Sequence, residues 1–141
     1  MDQDSIDKKE KDMKILVEIV SKQISDLNKR SVDLIRMLEL SIPRMSDKDS
    51  LIKKKRMSTI AMAMDYPRAL LALNSVVKTL KNQNSINGLI SLRAMMNKAE
   101  KDWVVTEERI KNVYPHPFGE WCAKVKEIQS LAEGVRKGLS A

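Results

Sequence analysis

The stretch Met13–Ser41, MKILVEIVSKQISDLNKRSVDLIRMLELS, decides the fold. Stepping from Met13 by four and three in turn gives Val17, Val20, Ile24, Leu27, Ser31, Leu34, Leu38 and Ser41, and only the two serines are not apolar. A strand would alternate every second residue, so this spacing is the seam of a long α-helix. Ile15, Leu16, Ile19 and Ile35 widen the stripe beyond a two-position seam, as expected of a helix packed on neighbours inside a bundle. A helix over residues 11–41 would be about 45 Å long at 1.5 Å per residue, and Pro43 would close it.

Outward from this segment the same periodicity recurs. Residues 43–50 read as a turn, with Ser46, Asp47 and Asp49 marking a helix start. A second helix is expected to run to Met64 on the apolar line Met57, Ile60 and Met64. Asp65-Tyr66-Pro67 reads as a restart, with Asp65 as the cap, opening a third helix on Tyr66, Leu70, Leu73, Val77 and Leu80. After a polar break at residues 82–88, a fourth helix from about Ser85 carries Leu89, Leu92, Met96, Ala99, Trp103, Thr106, Ile110 and Val113. The prolines at 115 and 117 impose a rigid turn over residues 114–119. A last helix places Phe118, Trp121, Val125, Ile128, Ala132 and Val135 on one face and is expected to fray at Gly134 and Gly138. The expectation is an all-α, single-domain bundle of about five helices over residues 11–141, behind a tail or frayed extension at 1–10.

Composition agrees. In 141 residues, 43% hydrophobic and 32% charged, there is material for one core and too little Gly or Pro, four of each, for a many-turned β architecture. Cys122 is the single cysteine and cannot form an internal disulfide, and residues 1–12 are nearly all polar, which argues against a secretory leader. No apolar run approaches the ~20 residues of a membrane span. The expected setting is intracellular and cytoplasmic.

The net charge of +7 is unevenly placed. Residues 1–45 and 102–141 each balance to zero, so residues 46–101 carry all of the excess, and no acidic residue occurs from Tyr66 to Ala99. A one-signed segment concentrates polyanions around itself. Its densest part is Lys53-Lys54-Lys55-Arg56, which also matches a short nuclear import signal and whose four side chains, 100° apart, point all around a helix. Lys78 and Lys81 share a face of the third helix, and Arg93 and Lys101, spaced through Asn97, line a flank of the fourth. Such cations reach phosphates without reading bases, which predicts sequence-independent contact with an RNA or DNA backbone, RNA favoured.

Catalytic signatures are weak. His116, Glu120 and Cys122 are the one place where imidazole, carboxylate and thiol could meet, and they read more simply as a turn residue, a surface charge and a small buried side chain. One His and one Cys cannot make a structural zinc site, and the glycines lack phosphate-loop spacing. No metal, cofactor or enzymatic activity is expected. Val20, Ile24, Leu27, Leu34 and Leu38 are expected to serve self-association, giving a homo-oligomer with a doubled basic surface. Small basic helical proteins of this build include viral silencing suppressors and nucleoprotein-associated factors, which the chain is similar to in general build only. The alternative function is a helical interaction or scaffold module whose seam and methionines, Met57, Met62, Met64, Met95 and Met96, dock a protein partner.

Overall fold

The computed structural model describes residues 3–42, 50–113 and 116–140. The turn signals at residues 43–49 and the Tyr114-Pro115 part of the last turn lie outside the described residues. The rest is all-helical: α1 Gln3–Leu40, α2 Ser50–Ala63, α3 Asp65–Asn82, α4 Ile86–Ile110 and α5 Phe118–Ser140.

α2 and α3 do not pack as two separate members of the bundle. Only Met64 lies between them, in helical geometry at φ −63° and ψ −13°, and the chain bonds straight across it from Met64 N to Ile60 O and from Arg68 N to Met64 O. Pro67 explains the interruption: it has no N–H for the Ala63 carbonyl four residues back, and its ring crowds that carbonyl, so the rod bends instead of ending. The expected restart at Asp65 is therefore a kink, and Asp65 caps nothing; its carboxylate pairs with Arg68 and Arg136. The architecture is a four-legged bundle, α1, α2–α3, α4 and α5, with neighbouring legs antiparallel along the chain. α1 and α4 point one way, as Gln23 Nε2 donating to Asn97 Oδ1 (2.7 Å) and Arg30 against Glu107 show; α2–α3 points back, with Asn28 Nδ2 donating to Pro67 O (2.9 Å).

The core follows the sequence stripes. Val20, Ile24, Leu27, Leu34, Ile35 and Leu38 of α1 meet Tyr66, Leu70, Leu73 and Val77 of α3, Leu89, Met96, Trp103 and Ile110 of α4, and Trp121, Val125, Ile128 and Ala132 of α5. Two termini depart from expectation. α1 begins at Gln3, so residues 3–10 are helix, and α5 runs through Gly134 and Gly138 to Ser140 without fraying. At Gly138 α5 passes close to α4: a Cβ there would meet the flexible end of the Met95 side chain at 2.6 Å. Ser85 caps α4 as its side chain accepts from Gly88 N (3.2 Å).

Candidate nucleic-acid interface

The basic run sits on the first turns of α2, at the end of the bundle where α5 starts. Its four side chains diverge as their spacing requires. Lys54 and Lys55 are exposed, Lys53 is half-buried, and Lys55 Nζ rests over the Phe118 ring, 5.7 Å from its centroid. Arg56 is a correction to the expected site. It is only 5% exposed, its guanidinium lies 4.7 Å from the Trp121 ring centroid, and Nη2 donates to His116 O (3.2 Å). The buried face of α2 is Arg56, Thr59, Ile60 and Ala63, so an arginine holds a core position, its stem packed and its head set against an aromatic face and a carbonyl. Met57, expected on the apolar line, is exposed instead.

Around this end lie His116, Glu120, Cys122 and Lys124. His116 Nδ1 is 3.5 Å from Glu120 and its Nε2 is 3.1 Å from Lys124 Nζ, whereas Cys122 Sγ lies beside the Thr59 hydroxyl at 3.7 Å. The thiol is engaged with α2 and the imidazole with Glu120 and Lys124 of α5, so the trio does not converge into one reacting centre. Among the described residues no group of His, Cys, Asp and Glu is arranged to hold a metal ion, and no helix is long and apolar enough to cross a membrane.

The other predicted cations stand elsewhere. Lys78 and Lys81 are exposed at the far end of the kinked leg, up to about 36 and 40 Å from Lys54 at 1.5 Å per residue. Arg93 and Lys101 are exposed on α4; Lys101 lies beside Glu100, which also neighbours Asp26 and Arg30 of α1, so the Lys101 end of that flank carries both signs. The structure thus keeps Lys53, Lys54 and Lys55 on the first turns of α2, places Lys78 and Lys81 at the opposite end of the same leg, and sets Arg93 and Lys101 on α4. The five seam residues assigned to self-association are also relocated. Val20, Ile24, Leu27, Leu34 and Leu38 are buried against the chain's own helices, which leaves no surface for a second copy to reach. The methionines form no common groove: Met57 and Met62 are exposed, Met64 and Met95 half-buried, and Met96 fully enclosed.

The most connected polar cluster was not foreseen. Arg30 grips Glu107 with two parallel bonds, Nε to Oε2 (2.7 Å) and Nη2 to Oε1 (2.8 Å), and the indole N–H of Trp103 donates to the same carboxylate (2.8 Å). Those bonds, the Arg30 one first, hold the Glu107 carboxyl below the usual carboxylate range and push Arg30 upward. Tyr66 stacks on Trp103 at 5.2 Å between centroids, and burial together with the Asp102 charge raises its hydroxyl above the ordinary phenol range. With its arginine half in solvent, the cluster ties α1 to α4. No protein family matches the chain, and no curated protein or solved structure matches it.

Proposed function

We propose that the chain is a non-enzymatic binder of nucleic-acid backbone, RNA before DNA, acting through the cations of α2 and α3. The observation that carries the reading is the placement of Lys53–Lys55 and Lys78 with Lys81 at the two ends of one leg whose sequence holds no acidic residue after Asp65. Their separation, up to about 34–42 Å along the leg at 1.5 Å per residue, lets the two ends meet phosphates well apart on one nucleic-acid backbone. Cations of this kind hold phosphates and leave base edges unread. Five phosphate contacts predict a fall in affinity of about 10² to 10³ between 50 and 200 mM salt on a duplex.

Fluorescence anisotropy with labelled 20-mer double-stranded RNA, single-stranded RNA and double-stranded DNA at both salt concentrations tests this. The expected result is duplex binding, indifferent to sequence, that weakens with Lys54→Ala and with Lys78→Ala and loses salt slope in each. No binding at 50 mM salt overturns it. A second reading, a module that docks a helical protein, rests on Leu40, Leu51 and Met57, which are 71, 68 and 58% exposed; large apolar side chains so open to water mark a contact surface when they cluster.

A further inference from the structure

His116 is the single histidine of the chain, and its backbone is tied on both sides: its N–H donates to Val113 O (3.0 Å) and its carbonyl accepts from Arg56 Nη2 of α2 (3.2 Å). The ring thus stands at the head of a stripe, His116, Glu120 and Lys124, that steps by four into α5. Both charged side chains of the stripe approach it, Glu120 Oε2 at 3.5 Å from Nδ1 and Lys124 Nζ at 3.1 Å from Nε2. An ammonium has three donors and no acceptor, so Nε2 offers Lys124 a lone pair, and a neutral ring with a bare Nε2 carries its hydrogen on Nδ1. That hydrogen faces the Glu120 carboxylate. An imidazolium has a hydrogen on each nitrogen and would turn one of them against the ammonium.

We propose that His116 is a proton-operated clamp on Lys124: the neutral ring holds the ammonium at Nε2, and a proton taken from water onto Nε2 releases it to solvent, where it can meet a phosphate. The groups around the ring set the direction. From α5, Glu120 attracts the imidazolium and Lys124 repels it. From α2, Arg56 is turned to the Trp121 ring and the His116 carbonyl, and Lys55 lies over Phe118, so neither answers the imidazole nitrogens. From α4, Arg109 is turned to Glu127 (3.7 Å), and the Cys122 thiol is beside Thr59. Glu120 keeps the protonated ring in place, so the motion falls to Lys124, whose four-carbon stem is flexible. Acidification thereby adds one charge at the start of α5 and frees a second. The clamp stands on this geometry alone; its use on phosphate rests on the backbone-binding function proposed above.

Nitrogen-15 NMR of the lone imidazole in the full chain tests the clamp without any ligand. At about pH 8 the hydrogen is expected on Nδ1 with Nε2 bare, and Lys124→Met, which keeps the stem and removes the ammonium, is expected to raise the pH at which the ring protonates by a few tenths of a unit. A hydrogen on Nε2, or a midpoint indifferent to Lys124→Met, overturns the clamp. Anisotropy with labelled 20-mer duplex RNA at 50 and 200 mM salt, at about pH 7.5 and about pH 5.5, tests its use. Each added phosphate contact steepens the salt slope by about 0.9, an extra fall of about threefold between the two salt concentrations, and the parent is expected to gain one to two such steps on acidification. His116→Gln, which keeps an oxygen acceptor for Lys124 and takes no proton, is expected to show the same slope at both pH values, and Lys124→Met to gain at most one step. A parent slope indifferent to pH, or a His116→Gln slope that steepens as the parent's does, overturns the release onto phosphate. Binding at neither pH overturns the backbone-binding function itself, and the imidazole spectrum then decides the clamp alone.

Discussion

Replacing Glu107 by alanine and by glutamine separates the two bonds that this carboxylate makes. In the alanine variant the indole N–H of Trp103, on a residue with no exposed surface, loses its acceptor, and an unsatisfied buried donor costs about 1–3 kcal/mol. The Arg30 pair adds less. Its guanidinium side chain is 51% exposed and falls back on water, so the ion pair contributes about 0.2–1 kcal/mol after solvent screening. Alanine's better helix propensity returns a few tenths, which leaves a net loss of about 1–3.5 kcal/mol. Glutamine keeps an amide oxygen for Trp103 and loses only the ionic part, about 0.2–1 kcal/mol. Urea unfolding followed by far-ultraviolet circular dichroism at pH 7 measures both, and the alanine variant is expected to fall below the glutamine one by at least about 1 kcal/mol. The pH dependence has a definite sign. The Glu107 carboxyl is held below its ordinary range in the folded chain, so its stabilisation is complete above the ordinary carboxylate value of about 4.3 and is lost as pH falls from there through the depressed native value. The advantage of the parent over Glu107→Gln therefore shrinks below about pH 4. Equal losses in the two variants, or a gap to glutamine unchanged between pH 7 and pH 3, would refute the assignment of roles within the cluster.

Two further perturbations follow from the packing. Leu27→Lys inserts a charge at a position 3% exposed, and its expected outcome is loss of the cooperative melt, because a cost of several kcal/mol consumes much of a typical 5–15 kcal/mol total; a folded monomer would instead restore the buried seam as an association surface. Ser85→Ala removes the side-chain acceptor for Gly88 N and is expected to cost about 1 kcal/mol in urea unfolding, with Ser85→Asn recovering most of it.

The fold was legible where local periodicity and burial coincide. The α1 stripe from Val20 to Leu38, the α4 line from Leu89 to Ile110 apart from half-buried Ala99, and the α5 face from Trp121 to Ala132 are inside, because a step of three or four places apolar groups on one side whatever they pack against, whereas Ile15, expected to widen the α1 stripe, is exposed. What sequence could not supply was the identity of the partner surface. The regularity of Val20, Ile24, Leu27, Leu34 and Leu38 says that a helix covers them and not whether that helix belongs to the same chain. Arg56 was misplaced for a related reason: Lys53 to Arg56 look equivalent in sequence, and only the approach of Trp121, 65 positions on, turns one of the four inward. The Pro67 kink was misread as a restart because proline favours the first turn of a helix and also bends a continuing one, and the two differ in whether bonds cross Met64. The Arg30, Trp103 and Glu107 cluster had one local signal, the i, i+4 spacing of Trp103 and Glu107; Arg30 joins it from 77 residues away.

The two tryptophans give this molecule a pair of built-in optical gauges at different stations. Trp103 is sealed in the middle between α1, α3 and α4, next to a carboxylate and a tyrosine ring, whereas Trp121 sits at the cationic end under Arg56, where α2 meets α5. Emission from a Trp103→Phe chain reports only the neighbourhood of α2, and emission from a Trp121→Phe chain reports only the centre. Occupation of the cationic end by a polyanion thus has an unlabelled readout, and a denaturation curve taken on each chain separates opening of the kinked leg's first half from collapse of the bundle as a whole.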